Sequence, residues 1–450
     1  VATDALMQQA ARGVATVAIR LLQDSVGLVV GARVLLLIGS GDNGGDALFA
    51  GAYLAERGAK VSALLLSLHT HAGGLAALQK SGSRISSSLS EIDFDEMDLV
   101  IDGIVGIGGK GGLTGVAAHV VAAISEGSIV VSVDLPSGID ADSGQASGAH
   151  VKADVTAVCG ALKVAHLVDP GAAASGVCEV VELGLDFSHV ASRVEVWQTN
   201  DVRDSLPHLR ENTDKYARGV LGVIAGSKEF PGAGALVCAS ALATGVGMIR
   251  YLGQASETVI GDHPEVVRSI GRVQAWVIGP GLVDVSITEE IATAFASEQP
   301  IIVDAGALQV LPRGRFNTLI TPHAGELSTL LGVERHEIES RNFFYATLAA
   351  KTFGVTVLLK GSTTIIASPT GRVAVNPTGT ARLATAGSGD VLAGLIGALT
   401  ASGLPLFEAA TVGAWLHGLA GRIMRGSGAS DIAATIHEAI ASLQWKADEL

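Results

Sequence analysis

Residues 34–46 read Val-Leu-Leu-Leu-Ile-Gly-Ser-Gly-Asp-Asn-Gly-Gly-Asp, and this stretch decides the fold. The run at 34–38 is apolar without alternation, the pattern of a strand buried on both faces. A glycine-rich turn ends it, and residues 47–57 then read as a helix. Strand, glycine turn and helix in that order form the repeating unit of a parallel sheet covered by helices.

Outward from this stretch the unit recurs. Apolar runs at 61–66, 99–102, 129–134, 155–159 and 177–181 predict further buried strands. Helical stretches lie near 74–80 and 116–125, and residues 4–24 carry Leu6, Ala10, Val14, Val17 and Leu21 at helical spacing. The alternation lapses over the polar piece 186–201 and then restarts. Strands are predicted at 220–225, 275–278, 301–304, 318–321 and 355–359, with a hairpin pair at 364–367 and 372–375 around Ser368-Pro369-Thr370-Gly371. Helices are predicted at 233–244, 286–296, 325–331, 337–352, 391–400, 407–424 and 431–443. The halves share no period, so two distinct α/β domains are expected, spanning 1–195 and 196–450.

Composition agrees. A chain of 450 residues has room for two or three full cores. Charged residues make up 16% and glycines number 57, which suits buried parallel sheets and tight turns and argues against disorder. The formal net charge is −14 with no block of lysine or arginine, so a nucleic-acid surface is not expected. A bound anion must be held by backbone amides and single cations. Cys159, Cys178 and Cys238 are scattered, without CxxC spacing, and read as small apolar residues in a reducing compartment. The longest apolar stretch, 26–40, is broken by Arg33 and glycines and is too short to span a bilayer. No signal peptide opens the chain, so a soluble cytoplasmic protein without membrane contact is expected.

Polar residues gather where predicted strands end, which is where open α/β sheets bind ligands. Asp42–Asp46, Asp102 and Asp134 close strands of the first half. Gly226-Ser227, Gly279-Pro280-Gly281, Asp304, Pro322-His323 and Lys360-Gly361 close strands of the second. One site per half follows. Residues 384–397, Ala-Thr-Ala-Gly-Ser-Gly-Asp-Val-Leu-Ala-Gly-Leu-Ile-Gly, place a glycine turn at a helix start, where free N–H groups and the helix dipole attract phosphate. Asp390 in the first turn can take a proton from a substrate hydroxyl while the amides hold the anion. Alone, this motif permits phosphoryl transfer and a plain capping loop equally. His69 and His71 have no third ligand nearby and read as a solvated loop, and His417 reads as a core histidine.

Two sets of motifs carry a family resemblance. Gly41-Asp42-Asn43-Gly44-Gly45-Asp46, the stretch 98–108, and Val133-Asp134-Leu135-Pro136-Ser137-Gly138-Ile139-Asp140 resemble the NAD(P)H-hydrate epimerase domain. Ala225-Gly226-Ser227, Pro231-Gly232-Ala233, Gly279-Pro280-Gly281, Thr321-Pro322-His323-Ala324-Gly325-Glu326, Lys360-Gly361-Ser362-Thr363-Thr364 and 386–394 resemble the NAD(P)H-hydrate dehydratase domain. In tandem, covering nearly the whole chain, they resemble the bacterial bifunctional nicotinamide-nucleotide repair family. The resemblance implies two three-layer α/β/α domains, a Rossmann-like epimerase followed by a ribokinase-like dehydratase. It implies interconversion of the two epimers of hydrated NADH or NADPH (NAD(P)HX). It further implies dehydration of one epimer with ADP, or ATP as the alternative, giving AMP and phosphate in the ADP case.

The resemblance also assigns roles. Asp42, Asn43, Gly44, Gly45 and Asp46 would cradle the hydrate's phosphates and ring, and Gly106, Ile107, Gly108, Gly109, Lys110, Gly111 and Gly112 would wrap it. Asp134 would be the acid/base, and Asn43, Asp102 and Ser137 would supply oxygens to a potassium ion. In the second half Lys360, Gly361, Ser362, Thr363, Thr364 and Gly389 would contact the nucleotide with magnesium. Ala235, Gly281, His323 and Asp390 would line the hydrate site, with Asp390 as base. The sequence departs from the pattern at Asp42, where asparagine is common, at Val283, where glycine is usual, and in Asp304-Ala305-Gly306, which lacks the second acidic residue many relatives carry. The rival readings are a ribokinase-like small-molecule kinase with a regulatory first domain, and a nucleotide-sensing binding protein. A homo-oligomer is expected from apolar helix faces in the last hundred residues.

Overall fold

The computed structural model describes residues 3–190, 194–207, 214–283, 287–312 and 314–444. The chain divides into two compact units, Val1–Ala191 and Ser192–Leu450. Glu195, placed by the sequence in the first domain, pairs through its backbone with Val373 and Val375 and through its carboxylate with Arg372. Of the irregular piece at 186–201, residues 191–193 lie outside the described residues.

The first unit runs α1 (Thr3–Ser25), β1 (Arg33–Ile38), α2 (Asp42–Glu56), β2 (Lys60–Leu65), α3 (Ala72–Lys80), β3 (Arg84–Ser86), β4 (Leu99–Gly103), α4 (Gly115–Ala123), β5 (Ile129–Val133), β6 (Val155–Cys159), α5 (Gly171–Ser175) and β7 (Val177–Val181). Its seven strands are all parallel, in the order β3-β2-β1-β4-β5-β6-β7. Successive side chains of β1 point to opposite faces. Leu36 and Ile38 pack with Val14, Ala18 and Leu22 of α1, while Leu35 and Leu37 pack with Val120 of α4. The short edge strand β3 was not predicted, because Arg-Ile-Ser carries no apolar run.

α2 begins at Asp42, where the sequence predicts a turn to Asp46 and a helix only from Ala47. Gly41 is extended at the N-cap, so Asp42 to Asp46 form the first helical turn. The glycines there serve close packing. A Cβ on Gly44 would lie 2.6 Å from the Gly39 carbonyl oxygen, and one on Gly45 3.0 Å from the His71 ring.

The second unit runs α6 (Thr199–Ser205), β8 (Val220–Ile224), α7 (Pro231–Thr244), β9 (Met248–Tyr251), α8 (Ser256–Asp262), β10 (Ala275–Ile278), α9 (Glu289–Ala296), β11 (Ile301–Val303), β12 (Thr318–Ile320), α10 (Ala324–Leu331), α11 (Arg335–Ser340), α12 (Asn342–Phe353), β13 (Thr356–Leu359), β14 (Ile365–Ala367), β15 (Val373–Val375), α13 (Ser388–Ala401), α14 (Leu406–Ile423) and α15 (Ala429–Gln444). The sheet order is β15-β14-β13-β12-β11-β10-β8-β9, parallel except for the antiparallel β13-β14-β15 edge. One face packs with α7, α13, α14 and α15 in a single core that includes Leu221, Val277, Ile302 and Leu358. α12 covers β13 and β14 from the other.

Two differences have local causes. β9 and α8 escaped the pattern because Met-Ile-Arg-Tyr mixes polar with apolar residues. The helix predicted at 337–352 is split at Arg341, whose ψ of 43° is not helical. The predicted start at Ser286 lies outside the described residues, and Thr288 caps α9 instead.

Both sheets reverse direction of growth at one place. The first does so between β1 and β4, the second between β8 and β10. Such switch points open a crevice beyond the strand C-terminal ends. No helix among the described residues is long and apolar enough to cross a membrane.

Candidate active sites

In the first unit the crevice between β1 and β4 is lined from below by Asp102, the fully buried end of β4. Its carboxylate accepts from Ser132 Oγ (2.8 Å), Ser137 N (2.9 Å), Ser137 Oγ (2.6 Å) and Ile104 N (3.2 Å). Burial raises the Asp102 pKa, against the lowering effect of these bonds. Asn43 donates its amide to the Val133 carbonyl, and its Oδ1 lies where a Gly106 Cβ would be, 2.2 Å from that point. Ser137 Oγ also accepts from Val105 N at 2.9 Å. Asn43, Asp102 and Ser137, expected as a set, therefore come together around the Val105-Gly106 backbone.

Asp134 follows β5 in the left-handed region, with φ 64°. Its carboxylate forms an ion pair with Lys163 and accepts from Cys159 N at 2.9 Å. His166 accepts from Lys163 N at Nδ1 (2.9 Å), so Nε2 carries the hydrogen and donates to the Asp134 carbonyl (2.9 Å). Burial, then the Lys163 charge, pushes the His166 pKa down to about 4, so the ring is neutral. Asp46 lies close by. Its Oδ1 is buried with no hydrogen-bond partner among the described residues. Burial, then the Asp42 and Asp134 charges, pushes its pKa up to about 7. The Cys159 thiol is pushed up to about 12 by burial and by Asp134 and Asp46, and is inert as a nucleophile.

Lys163 and His166 were not anticipated from sequence. They lie just past the end of β6, and the clue was the same one used elsewhere, polar residues after a buried strand. The glycine segment 106–112 sits at the mouth. Its Lys110, expected as a phosphate partner, pairs with Asp140 at 2.9 Å and Asp142 at 3.8 Å. Ile107 is exposed, Gly111 is left-handed, and Gly112 packs on the Gly148 backbone. His71, expected in a solvated loop, caps α3 by accepting from Gly74 N at 3.1 Å.

In the second unit Gly387, at φ 86°, starts α13, and Ser388, Gly389 and Asp390 form its first turn. Lys360 Nζ lies 2.8 Å from Asp304 Oδ1 and 3.8 Å from Glu326 Oε2. Asp304 Oδ1 also accepts from Thr321 Oγ1 at 2.8 Å. A Cβ on Gly389 would stand 3.4 Å from Lys360 Nζ and 3.9 Å from Asp304 Oδ2, so the helix start and this ion pair share one pocket. Burial works against the Lys360 ammonium, but Asp304 and Glu326 outweigh it and raise its pKa. Burial, then the Asp304 charge, pushes Asp390 up to about 6, with Lys360 opposing. Asp304 was noted in sequence only as a strand end. Its partner Lys360 is near in space and 56 positions away, so no local pattern could pair them.

His417 is the expected core histidine, buried, with Nε2 3.2 Å from Ser388 Oγ. His323 caps α10. Its Nδ1 accepts from Gly325 N (3.0 Å) and Glu326 N (3.2 Å), and Glu326 Oε2 accepts from His323 N (2.8 Å). Lys360 N donates to the Pro322 carbonyl at 2.8 Å, which sets the 322–323 and 360–361 turns side by side. Gly361 and Ser362 are exposed, and Thr363 and Thr364 are half-buried, on the turn into β14. Gly281, at φ 66°, lies against α7, where a Cβ would meet the Ala233 Cβ at 2.5 Å. Ala235 is half-buried on the same helix, and Gly226 N donates to the Pro280 carbonyl at 2.7 Å. Among the described residues no three His, Cys, Asp or Glu side chains converge as a metal site.

The known proteins that this chain resembles fit both sites. Residues 221–442 match the NAD(P)H-hydrate dehydratase family model, and residues 3–165 match the model of the YjeF-related protein N-terminus. A bifunctional NAD(P)H-hydrate repair enzyme of Mycobacterium tuberculosis is 45% identical over 421 residues, covering 90% of this chain and 86% of that protein. An ADP-dependent (S)-NAD(P)H-hydrate dehydratase of Neisseria meningitidis is 36% identical over 250 residues, 49% of this chain and 84% of its own. The crystal structure of the ADP/ATP-dependent NAD(P)H-hydrate dehydratase of Bacillus subtilis, co-crystallised with ATP and Mg2+, matches 56% of this chain and 100% of its own at TM-score 0.51 and 28% identity. The chain belongs to the bifunctional NAD(P)H-hydrate repair enzyme family.

Proposed function

We propose that this chain restores hydrated nicotinamide nucleotides, each unit carrying one of the two reactions. The first interconverts the R and S epimers of NAD(P)HX, and the second dehydrates the S epimer to NAD(P)H at the expense of ADP. The observation that carries the reading is the joint presence of two built sites. Asp134 is held by Lys163 and His166 in one, and Asp390 stands beside the Asp304–Lys360 pair in the other.

In the first unit Asp134 takes the substrate hydroxyl proton as the hydroxyl-bearing centre opens and returns it as the centre recloses. Lys163 balances its charge, and His166 fixes its backbone. Asp42, Asn43, Gly44, Gly45 and Asp46 would cradle the hydrate's phosphates and ring, with the N–H groups of Asp42, Asn43 and Gly44 at the start of α2 facing the phosphates. The 106–112 segment and Lys110 close over it. Asn43, Asp102 and Ser137 offer only oxygen, the donor set of a hard cation, which fits potassium. Such an ion would supply fixed positive charge near the phosphates.

In the second unit Asp390 removes the hydroxyl proton of the hydrate, so that the oxygen attacks the terminal phosphate of ADP and AMP leaves. Phosphate then departs from the ring carbon, the neighbouring carbon loses a proton, and the double bond returns. Hydroxide is a poor leaving group and phosphate a good one, which is why dehydration needs a nucleotide. Lys360, the 361–364 turn and the Gly389 amide hold the nucleotide, and Ala235, Gly281 and His323 hold the hydrate. Asp304 and Glu326 pair with Lys360 and do not converge with Asp390 as metal ligands, so magnesium would arrive on the nucleotide's phosphates and need few protein ligands. The Bacillus subtilis relative's ATP and Mg2+ support this assignment, and the relative from Neisseria supports ADP. The free thiols Cys159, Cys178 and Cys238 suit the cytoplasm.

The test follows absorbance of a mixed-epimer NADHX sample on adding the protein, ADP and magnesium. Complete conversion with AMP and phosphate formed is expected. A stable phosphorylated product would instead favour the kinase reading.

A further inference from the structure

A cavity of about 550 Å³ opens at the ends of β8, β9 and β10 and is not part of the sites above. It lies at the switch point of the second sheet, between Ile224, the turn 251–254 after β9, and Leu282 after β10. Leu282 directly follows Gly281, which borders the hydrate position. Along the strand ends, Asp304 and Lys360 stand after β11 and β13, and the nucleotide turn runs on into β14. On the dehydratase reading, the two substrates meet at Asp390 and approach from opposite sides of this edge. The nucleotide takes the β13–β14 side, which leaves the β10-β8-β9 side for the remainder of the hydrate.

The outer wall of the cavity is built and not a loose loop. Val267 pairs with the backbone of β9, donating to the Ile249 carbonyl (3.0 Å) and accepting from Tyr251 N (3.0 Å). The Arg250 guanidinium then holds the segment that follows, donating to Ser269 Oγ at 2.8 Å and to the Arg272 carbonyl at 3.3 Å. A Cβ on Gly271 would lie 2.5 Å from that guanidinium, so the chain wraps it closely. Arg250 is thereby committed to the wall. Arg268, which lines the cavity, makes no ion pair among the described residues. Ile270 and Val283 line the same space and are 73% and 44% exposed. Among the described lining residues the single carboxylate, Glu290, is engaged by the Thr288 hydroxyl and its own backbone N–H.

We propose that this cavity receives the adenosine-phosphate half of the hydrated dinucleotide, with Arg268 on its phosphates and Ile270 and Val283 against the adenine. The proposal rests on the dehydratase reading and adds to it a remote handle on the substrate. A cavity of this size, lined by polar groups such as Gln254, Arg268 and Ser269 as well as by apolar side chains, suits a nucleotide half, which is itself part polar and part apolar. Binding energy gained there holds the reacting ring in place without taking part in the chemistry.

The test compares (S)-NADHX with its mononucleotide counterpart, hydrated NMNH, in the full-length protein with saturating ADP and magnesium. For Arg268→Glu, KM for the dinucleotide is expected to rise by about tenfold with kcat changed by less than about twofold, and the mononucleotide kinetics to stay as in wild type. Ile270→Ser, on an exposed side chain, is expected to show the same pattern in milder form. Equal effects on both substrates, or no effect on either, would overturn the proposal while leaving the dehydratase reading intact. Wild-type protein that converts neither hydrate would overturn both.

Discussion

Asp390 is the base proposed for the dehydration, and its surroundings predict the pH dependence of that step. With its pKa pushed up to about 6, the base form accumulates as pH rises through that value, so kcat/KM for the hydrate should rise there and level off. Asp304 raises this pKa and Lys360 lowers it. Asp304→Asn should therefore move the acid limb to lower pH, and Lys360→Met should move it to higher pH, in kcat/KM profiles for the hydrate. Identical limbs in both variants would remove Asp390 from the role of base. Asp46 makes a second prediction. Its folded pKa is above the carboxylate value of 3.8, so its contribution to stability is greatest below that value and is lost as pH rises through about 7. Asp46→Asn should stabilise the first unit at pH 8, by on the order of 3 kcal/mol, and have little effect at pH 4. Thermal melts at the two pH values check this. Most residues of the two candidate sites were legible in sequence because each ends a strand or starts a helix. Lys163, His166 and the role of Asp304 were not, because their meaning depends on partners brought together by sheet order.

At the scale of elements, α7 and α13 hold the proposed hydrate side and Asp390 together. They pack closely at Gly394, where a Cβ would lie 2.1 Å from Ser240 Oγ and 2.2 Å from the Val237 carbonyl oxygen. Gly394→Ala must push the helices apart or bend one of them. The expected cost is about 1–3 kcal/mol, read as a lowered melting temperature, together with a loss in kcat as Asp390 shifts relative to Ala235. Retained kcat with lowered stability would show that this contact supports the fold alone. The elements themselves were readable where an apolar run or helical spacing was long, as in β1, β5 and α14. They were not readable where tertiary contacts set the boundary. α2 starts before its apolar residues because Gly44 and Gly45 fit against neighbouring backbone and His71. β3 and β9 are strands because a sheet edge lies beside them.

Across the whole chain, each unit has its own sheet and its own core, and each has its own proposed acid or base. One reaction can therefore be removed without the other. Asp134→Asn keeps the left-handed backbone, which asparagine tolerates, and removes the carboxylate. In a mixed-epimer assay it should convert the S fraction at the wild-type rate and then nearly stop, leaving the R epimer. Full conversion at the wild-type rate would acquit Asp134. The same φ of 64° also decides how this unit can decay over generations. Glutamate, the nearest chemical relative, is a poor fit to that backbone, whereas asparagine and glycine settle into it readily. Mutations that spare the architecture at this position are thus the ones that silence it. A lineage drifting here would inherit an intact, well-folded first half with no epimerase, still joined to a working dehydratase.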